Sequence, residues 1–127
     1  PAKGQYMVLA YQRRNDLAKY NQQILDRFVP VHQAQLKENK KLKGWGVSSL
    51  YAPTGGGRYN TLQIHVYEDF PAIENPGVTS TQDLLKKMFG GQLADLWGPA
   101  EASKTEISRV IDVVVPSKAV LSGAGGQ

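Results

Sequence analysis

The segment from Arg58 to Glu68 limits the possible folds most, because its side chains alternate in character with a period of two. Leu62, Ile64 and Val66 occupy every second position. This alternation is typical of a β-strand whose two faces meet different surroundings. The intervening positions carry polar and aromatic side chains: Tyr59, Thr61, Gln63, His65 and Tyr67. The segment therefore predicts a strand in a sheet with two unlike faces.

A turn signal precedes this strand and joins it to an earlier one. Pro53-Thr54-Gly55-Gly56-Gly57 combines a residue of fixed φ with three that permit positive φ. The run from Lys43 to about Ala52 is rich in β-forming residues. Two such runs separated by a short Gly-rich loop predict a β-hairpin.

The first third of the chain predicts a strand followed by an amphipathic helix. Gln5 to Arg13 is a mostly apolar strand-like run, and Asn15 or Asp16 offers a helix N-cap. Pro30 falls inside the helical pattern, where it removes a backbone donor, so we expect a kink near Asp26–Phe28 and helix again through Leu36. The apolar positions recur every three or four residues: Leu17, Tyr20, Ile24, Phe28 and Val31.

The second half repeats the order of helix and strand. A short helical turn is expected at 70–75, and Ser80 with Asp83 forms a capping-box pattern ahead of a second helix. Gly90-Gly91 interrupts that helix. A further helical piece then carries Leu93, Leu96 and Trp97, and the last strand is expected from Thr105 to Val115.

The resulting order, β-α-β-β-α-β, predicts an α+β domain of the ferredoxin-like type over residues 1–116. In this arrangement a four-stranded antiparallel sheet carries both helices on one face. The other face needs a cover, which predicts pairing with a second copy into a dimeric α/β barrel. Residues 117–127 are expected to form a flexible tail.

The alternation also sorts residues by sheet face. We expect the aliphatic set of the third strand to lie under the helices. The set containing His65 is then expected on the helix-free face. From the second strand we place the bulkier set beside His65: Trp45, Val47, Ser49 and Tyr51. This polar and aromatic face could pack against a partner or enclose a cavity for a small molecule.

Composition and charge narrow the class of partner. The net charge is +4, but the basic residues are scattered apart from the run Lys37–Lys43 at a helix end, where cations favour the helix dipole. No aromatic residues interleave with that run, so nucleic acid is not an expected partner, and no apolar segment is long enough to cross a bilayer. The chain has no Cys and begins at Pro1, which fits the cytoplasm or an exported protein after signal removal.

Several motifs together resemble uncharacterised bacterial proteins of the dimeric α/β-barrel superfamily. They are Val29-Pro30-Val31-His32, Lys43-Gly44-Trp45, and Tyr59-Asn60-Thr61 leading to His65-Val66-Tyr67-Glu68-Asp69-Phe70. The resemblance implies the fold and pairing described above. Distant members include antibiotic-biosynthesis-type monooxygenases, heme-degrading enzymes, chlorite dismutase-like heme proteins and stress-responsive barrel domains. The heme-degrading enzymes use an Asn on the first strand, and residues 5–13 contain none.

His65 is the main catalytic candidate, with Gln63 and Tyr67 able to orient it. A neutral imidazole on a cavity wall could act as a base, or it could simply bridge strands by hydrogen bonds. Arg109 could pair with an anionic group of a ligand or form a salt bridge. The remaining ligand-binding candidates are Trp45, Ser49, Tyr51 and Thr61. His32 could instead cap carbonyls at the Pro30 kink, and we expect no metal site from two histidines alone.

The sequence supports two main functional hypotheses. In the first, a homodimer binds a small aromatic or anionic organic molecule in a cavity at His65. Such a protein could act as a cofactor-independent monooxygenase- or isomerase-like enzyme. In the second, the polar face serves only dimerisation or larger assembly. Heme binding through His65 is a third hypothesis, and the sequence itself requires no cofactor.

Overall fold

A computed structural model describes residues 1–51, 57–90 and 100–116. The elements lie in the order expected from the sequence. The strands are β1 (Tyr6–Arg13), β2 (Leu42–Ser49), β3 (Thr61–Tyr67) and β4 (Ala102–Arg109). The α-helices are α1 (Leu17–Gln23), α2 (Val29–Lys37) and α3 (Thr81–Phe89). A five-residue π-helical turn (Ile24–Phe28) joins α1 to α2, and a 3₁₀ turn (Pro71–Ile73) follows β3.

The four strands form one antiparallel sheet in the order β2-β3-β1-β4. Strand β3 lies between β1 and β2, although it follows both in the chain. This is the split βαβ arrangement, so the predicted ferredoxin-like fold is confirmed. The hairpin partners β2 and β3 are also confirmed, with Trp45 opposite His65 and Ser49 opposite Thr61.

The kink predicted at Pro30 takes the form of the π-helical turn. Pro30 lies at the start of α2, in the turn directly after residues 24–28. The amide of Val29 donates to the carbonyl of Ile24, five residues earlier, instead of four as in an α-helix. Proline has no amide hydrogen, so it cannot donate the backbone hydrogen bond that an α-helix would require at this position. The wider π-helical turn does not require that bond. Asp16 caps α1 by accepting a hydrogen bond from the Lys19 amide, as expected.

The bounds of α3 follow from its two ends. The Ser80 side chain accepts a hydrogen bond from the Asp83 amide, which satisfies a free donor of the first turn. Gly90 follows the helix in the left-handed conformation at φ 70°, which a residue without a Cβ adopts without strain. The predicted second helical piece, with Leu93, Leu96 and Trp97, lies outside the described residues.

The core lies between the helices and one face of the sheet. Trp45 and Val47 of β2 pack against it. Since the opposing residues of a strand pair share a face, Gln63 and His65 also point toward the helices. The buried cluster comes from α1, the π-helical turn, α2 and α3: Tyr20, Ile24, Phe28, Val31, Leu84 and Leu85.

The expected assignment of the two sheet faces is therefore wrong. The polar and aromatic set of β3 lies under the helices, and Leu62, Ile64 and Val66 point to the helix-free side. The physical reason is that the helices themselves supply polar partners, such as the Tyr20 hydroxyl, to which Gln63 donates. Alternation separates two faces of a strand but does not say which of them a helix covers. The cavity predicted on the helix-free face, around His65, does not lie there.

Several strand bounds also differ from expectation. β3 begins at Thr61 and not at Arg58, and β4 begins at Ala102 and not at Thr105. β4 ends at Arg109 and not at Val115, because β1 begins at Tyr6, which pairs with Arg109. Val110 extends the pairing by two hydrogen bonds of 2.8 Å: its amide donates to the Gln5 carbonyl, and its carbonyl accepts from the Gly4 amide. β2 ends at Ser49, which leaves Tyr51 outside the sheet. Within the described ranges, no helix has the length and apolar character needed to span a membrane.

Candidate functional site

A cleft of about 290 Å³ opens between the helices and the sheet, at the end of β3. His65 and Tyr67 line it from β3, and Gln35 lines it from α2. The remaining wall comes from the start of β2 and from the segment that leads into α3: Leu42, Pro76, Val78, Ser80 and Thr81. The cleft thus brings together two of the three predicted catalytic residues, His65 and Tyr67, on the side of the sheet opposite to the one predicted.

His32 of α2 lies behind His65 and is 2% exposed. Its ring is parallel to that of Trp45, with centroids 4.0 Å apart and an interplanar angle of 6°. Its Nδ1 atom lies 2.7 Å from the carbonyl oxygen of Phe28 at the end of the π-helical turn. Because a carbonyl only accepts, Nδ1 carries the hydrogen and Nε2 keeps its lone pair. The expectation that His32 contacts a carbonyl at the kink is confirmed.

The rings of His32 and His65 meet edge to face, with centroids 5.4 Å apart. The ring of Tyr67 lies 6.2 Å from that of His65 at an interplanar angle of 17°. His65 is therefore held between a fully buried ring and a partly buried one. Contacts of this kind restrict the orientation of the His65 side chain.

Both histidines favour the neutral form. Burial lowers the pKa of His32 from 6.5 to about 4; the hydrogen bond to Phe28 opposes this shift, and charge on His65 adds to it. Burial also lowers the pKa of His65 and raises that of the Tyr67 hydroxyl. At neutral pH the cleft therefore presents an uncharged imidazole, which can accept a proton, beside a protonated phenol, which can donate a hydrogen bond.

Gln63 and Trp45 lie next to this group in a hydrogen-bonded chain. The Trp45 indole N–H donates to Gln63 Oε1 over 3.2 Å, and Gln63 Nε2 donates to the Tyr20 hydroxyl over 3.1 Å. Tyr20 is 1% exposed. Gln63 thus joins the sheet to α1, and Trp45 supports His32. Neither residue lines the cleft, and Trp45 is linked to His65 through the ring of His32.

The other predicted ligand-binding residues are dispersed. Thr61 is buried and donates its hydroxyl to the Gln12 carbonyl, which fixes it in a structural contact. Ser49 borders a different depression, beside α1. Tyr51 is 87% exposed. Arg109 lies exposed on β4, opposite Tyr6, and two strand spacings of about 10 Å separate its backbone from that of Tyr67.

The residues that line the cleft suit a small uncharged molecule. None of the lining residues in the described ranges carries a full charge at neutral pH, and the volume is near the lower limit of about 300 Å³ for ligand pockets. Across residues 1–51, 57–90 and 100–116, no three His, Asp or Glu side chains cluster as metal ligands would.

Sequence reasoning missed Gln35, Ser80 and Thr81 as parts of the cleft. Gln35 Nε2 donates to the Thr79 carbonyl over 2.9 Å and to the Thr81 hydroxyl over 3.2 Å, and it thereby holds the start of α3 against α2. The sequence contains one indication for Gln35: it follows His32 by three positions and therefore lies on the same face of the helix. The approach of residues 79–81 to that face follows from the tertiary fold alone.

We predict that acid destabilises the protein through His32. Its folded-state pKa, about 4, lies below its ordinary value of 6.5, so protons bind preferentially to the unfolded chain between these limits. The free energy of unfolding is then highest above pH 6.5 and falls by roughly 3 kcal/mol as the pH drops toward 4. Urea denaturation across this range measures the effect.

The matched control is His32→Phe, which keeps an aromatic ring against Trp45 but cannot titrate. Its unfolding free energy should depend less steeply on pH between 6.5 and 4 than that of the wild type. An equal slope in the two proteins would contradict the assignment of the acid sensitivity to His32.

Comparison with known proteins supports the fold. No protein-family model matches the chain, and no curated protein sequence matches it. Among solved structures, an ethyl tert-butyl ether d (EthD) family protein from Bacillus halodurans is similar, with a TM-score of 0.53 and 12% identity. The match covers 83% of this chain and 96% of that chain. At this identity the likeness extends to the fold alone, which is the ferredoxin-like α+β arrangement.

Proposed function

We propose that the protein is a homodimer that binds a small, uncharged aromatic molecule in the cleft at His65. The observation that carries this proposal is the placement of a neutral imidazole and a phenol on one wall of a cleft without charged lining residues. Apolar contacts from Leu42 and Val78 would hold the ring of the ligand. The Tyr67 hydroxyl would orient a polar substituent. An anionic ligand is less suitable for this cleft, because Arg109, the cation expected to pair with it, lies on a distant edge strand.

In the proposed reaction, His65 removes a proton from an acidic C–H or O–H group of the bound molecule. The hydrogen bond from Tyr67 stabilises the negative charge that develops on the substrate oxygen. Return of the proton to a different carbon completes an isomerisation, with no net oxidation. An oxygenase-type reaction would begin with the same proton transfer and would use dioxygen as co-substrate.

The homodimer part of the proposal is supported by the helix-free face. That face carries partly exposed aliphatic side chains from the two central strands, namely Met7, Leu9, Leu62 and Ile64, and no helix of the described residues covers them. Val66 on the same side is already buried. A continuous aliphatic surface of this kind is unfavourable in water and favours association. The topology alone already implied that a partner covers the helix-free face. The aliphatic character of that face, which was expected to be polar, makes this implication stronger.

We predict that His65→Gln retains ligand binding and loses proton transfer. Phenols and aryl ketones that raise the melting temperature of the wild type are incubated with each protein in deuterated water, and NMR follows exchange at the acidic carbon. His65→Gln should reduce the exchange rate by at least about 100-fold. Ser49→Ala, which alters a separate depression, should leave the rate unchanged.

Two results would contradict the functional proposal. If no aromatic compound raises the melting temperature, the cleft is not a binding site for this class, and the non-catalytic hypothesis gains support. If exchange is equally fast in wild type and His65→Gln, His65 is not the base.

We also predict that Ile64→Lys weakens dimerisation. The substitution places a charge in the centre of the aliphatic face, where a partner would bury it. Analytical ultracentrifugation at micromolar concentration should show a dimer for the wild type and a monomer for the variant. Tyr51→Lys changes an exposed residue outside the sheet and should remain dimeric. A wild-type monomer at this concentration would contradict the homodimer.

A further inference from the structure

Gln35 of α2 carries a hydrogen-bond acceptor that the fold leaves unused in the wall of the cleft. The side chain is 4% exposed and lines the cleft together with His65 and Tyr67. Its amide nitrogen donates to the Thr79 carbonyl and to the Thr81 hydroxyl, which uses both of its hydrogens. Its amide oxygen, Oε1, is buried and has no hydrogen-bond partner among the described residues.

The partners of this amide fix its orientation. A backbone carbonyl only accepts hydrogen bonds, so the atom that lies 2.9 Å from the Thr79 carbonyl oxygen must be the nitrogen. Exchanging the positions of nitrogen and oxygen would bring two acceptors together there. The unpaired atom of Gln35 is therefore an acceptor and not a donor.

A buried acceptor without a partner is costly, because it has lost its hydrogen bonds to water and has gained none in return. Buried polar groups in proteins nearly always have a partner, so an exception requires an explanation. Gln35 shares the cleft with the proposed base, His65. A donor on the bound molecule would supply the missing partner.

The segment against this amide, residues 76–80, is here termed the strap. Val78 of the strap lines the cleft. Besides the bond to Gln35, solvent-exposed hydrogen bonds attach the strap to the end of α2: the amide and the hydroxyl of Thr79 donate to the Glu38 carboxylate over 3.1 and 3.3 Å. Because water competes for such exposed bonds, they hold the strap less firmly than buried ones would.

We propose that Gln35 Oε1 accepts a hydrogen bond from the ligand, and that the cleft thereby selects an aromatic molecule with an O–H or N–H group. The strap moves as the ligand enters, which opens the buried oxygen to the donor. The Tyr67 hydroxyl donates to an acceptor on the same molecule, so the two contacts recognise complementary groups. A hydroxylated aryl ketone has both. This inference rests on the proposed function and narrows its ligand class.

The burial of Oε1 makes this contact selective. The oxygen has already lost its water in the free protein, so a ligand donor gains a hydrogen bond for which only the ligand must be dehydrated. A molecule of the same shape without the donor leaves Oε1 unpaired in the complex. Sites that hydrogen-bond an O–H or N–H group therefore discriminate strongly against analogues that lack it.

Calorimetric titration with matched ketones tests the inference. The 2-, 3- and 4-hydroxyacetophenones carry a donor, acetophenone carries none, and the methoxyacetophenones keep the oxygen without its hydrogen. Below the pKa of the phenol group, at least one hydroxy isomer should bind the wild type at least about tenfold more tightly than acetophenone and than its own methoxy counterpart. Gln35→Met, which keeps the length of the side chain without the acceptor, should lose this preference.

The control variant is Glu38→Ala, which loosens the strap from a residue outside the cleft. It should change the affinities for the hydroxy ketone and for acetophenone by the same factor, so that their ratio stays as in the wild type. A ratio that falls as far in Glu38→Ala as in Gln35→Met would assign the preference to the closed strap and would overturn the role of Oε1.

A second measurement needs no variant and applies even where Gln35→Met fails to fold. In wild-type protein labelled with ¹³C and ¹⁵N, the signal of the Gln35 side-chain carbonyl carbon is followed by NMR. Accepting a hydrogen bond deshields this carbon, so the preferred hydroxy ketone should shift the signal further downfield than acetophenone does. Equal shifts would contradict the proposed contact.

The outcomes separate this inference from the proposed function. If none of the ketones binds, the aromatic site itself fails and the role of Gln35 fails with it. If hydroxy, methoxy and unsubstituted ketones bind the wild type equally well, the aromatic site stands and the selection by Gln35 is overturned. A wild-type preference that persists in Gln35→Met would show that Gln35 only holds the start of α3 against α2.

Discussion

The packing of His32 between the Phe28 carbonyl and the Trp45 ring determines how the helices meet the sheet. The π-helical turn brings that carbonyl within 2.7 Å of the imidazole, and Pro30 explains why the helix departs from regular geometry there. The same ring then contacts His65 on β3. One buried side chain therefore links the kinked helix, the edge strand β2 and the candidate base. A change at the kink would be transmitted to the cleft through this contact.

The two faces of the sheet have separate roles because of this packing. Polar and aromatic groups meet the helices, where the hydroxyl of Tyr20 and the ring of His32 satisfy them. Buried polar groups with partners specify one arrangement of the helices, since an unpaired group would be costly. The aliphatic groups are left for the other face, where a second copy would cover them. The cleft and the proposed dimer contact thus lie on opposite faces and can be altered independently.

Much of the fold followed from local patterns in the sequence. The element order and the caps at Asp16 and Ser80 depend on residues close in the chain and are confirmed, and the π-helical turn lies where the kink before Pro30 was predicted. The face of the sheet that the helices cover depends on contacts between distant residues, such as Gln63 with Tyr20, and it was assigned wrongly. His65 and Tyr67 were found because they share one strand face. Gln35 and Thr81 were missed because only the tertiary fold brings them together.

Histidine NMR tests the central claim most directly, since the chain has only two histidines. A pH titration of their ring signals reports both pKa values and the protonated nitrogen of each neutral ring. We predict one ring with its hydrogen on Nδ1 and a pKa of about 4, and a second ring whose pKa lies below the ordinary 6.5 because it is buried. Two rings that both titrate near 6.5 would show that they are exposed to solvent, which would contradict the enclosed site between helices and sheet.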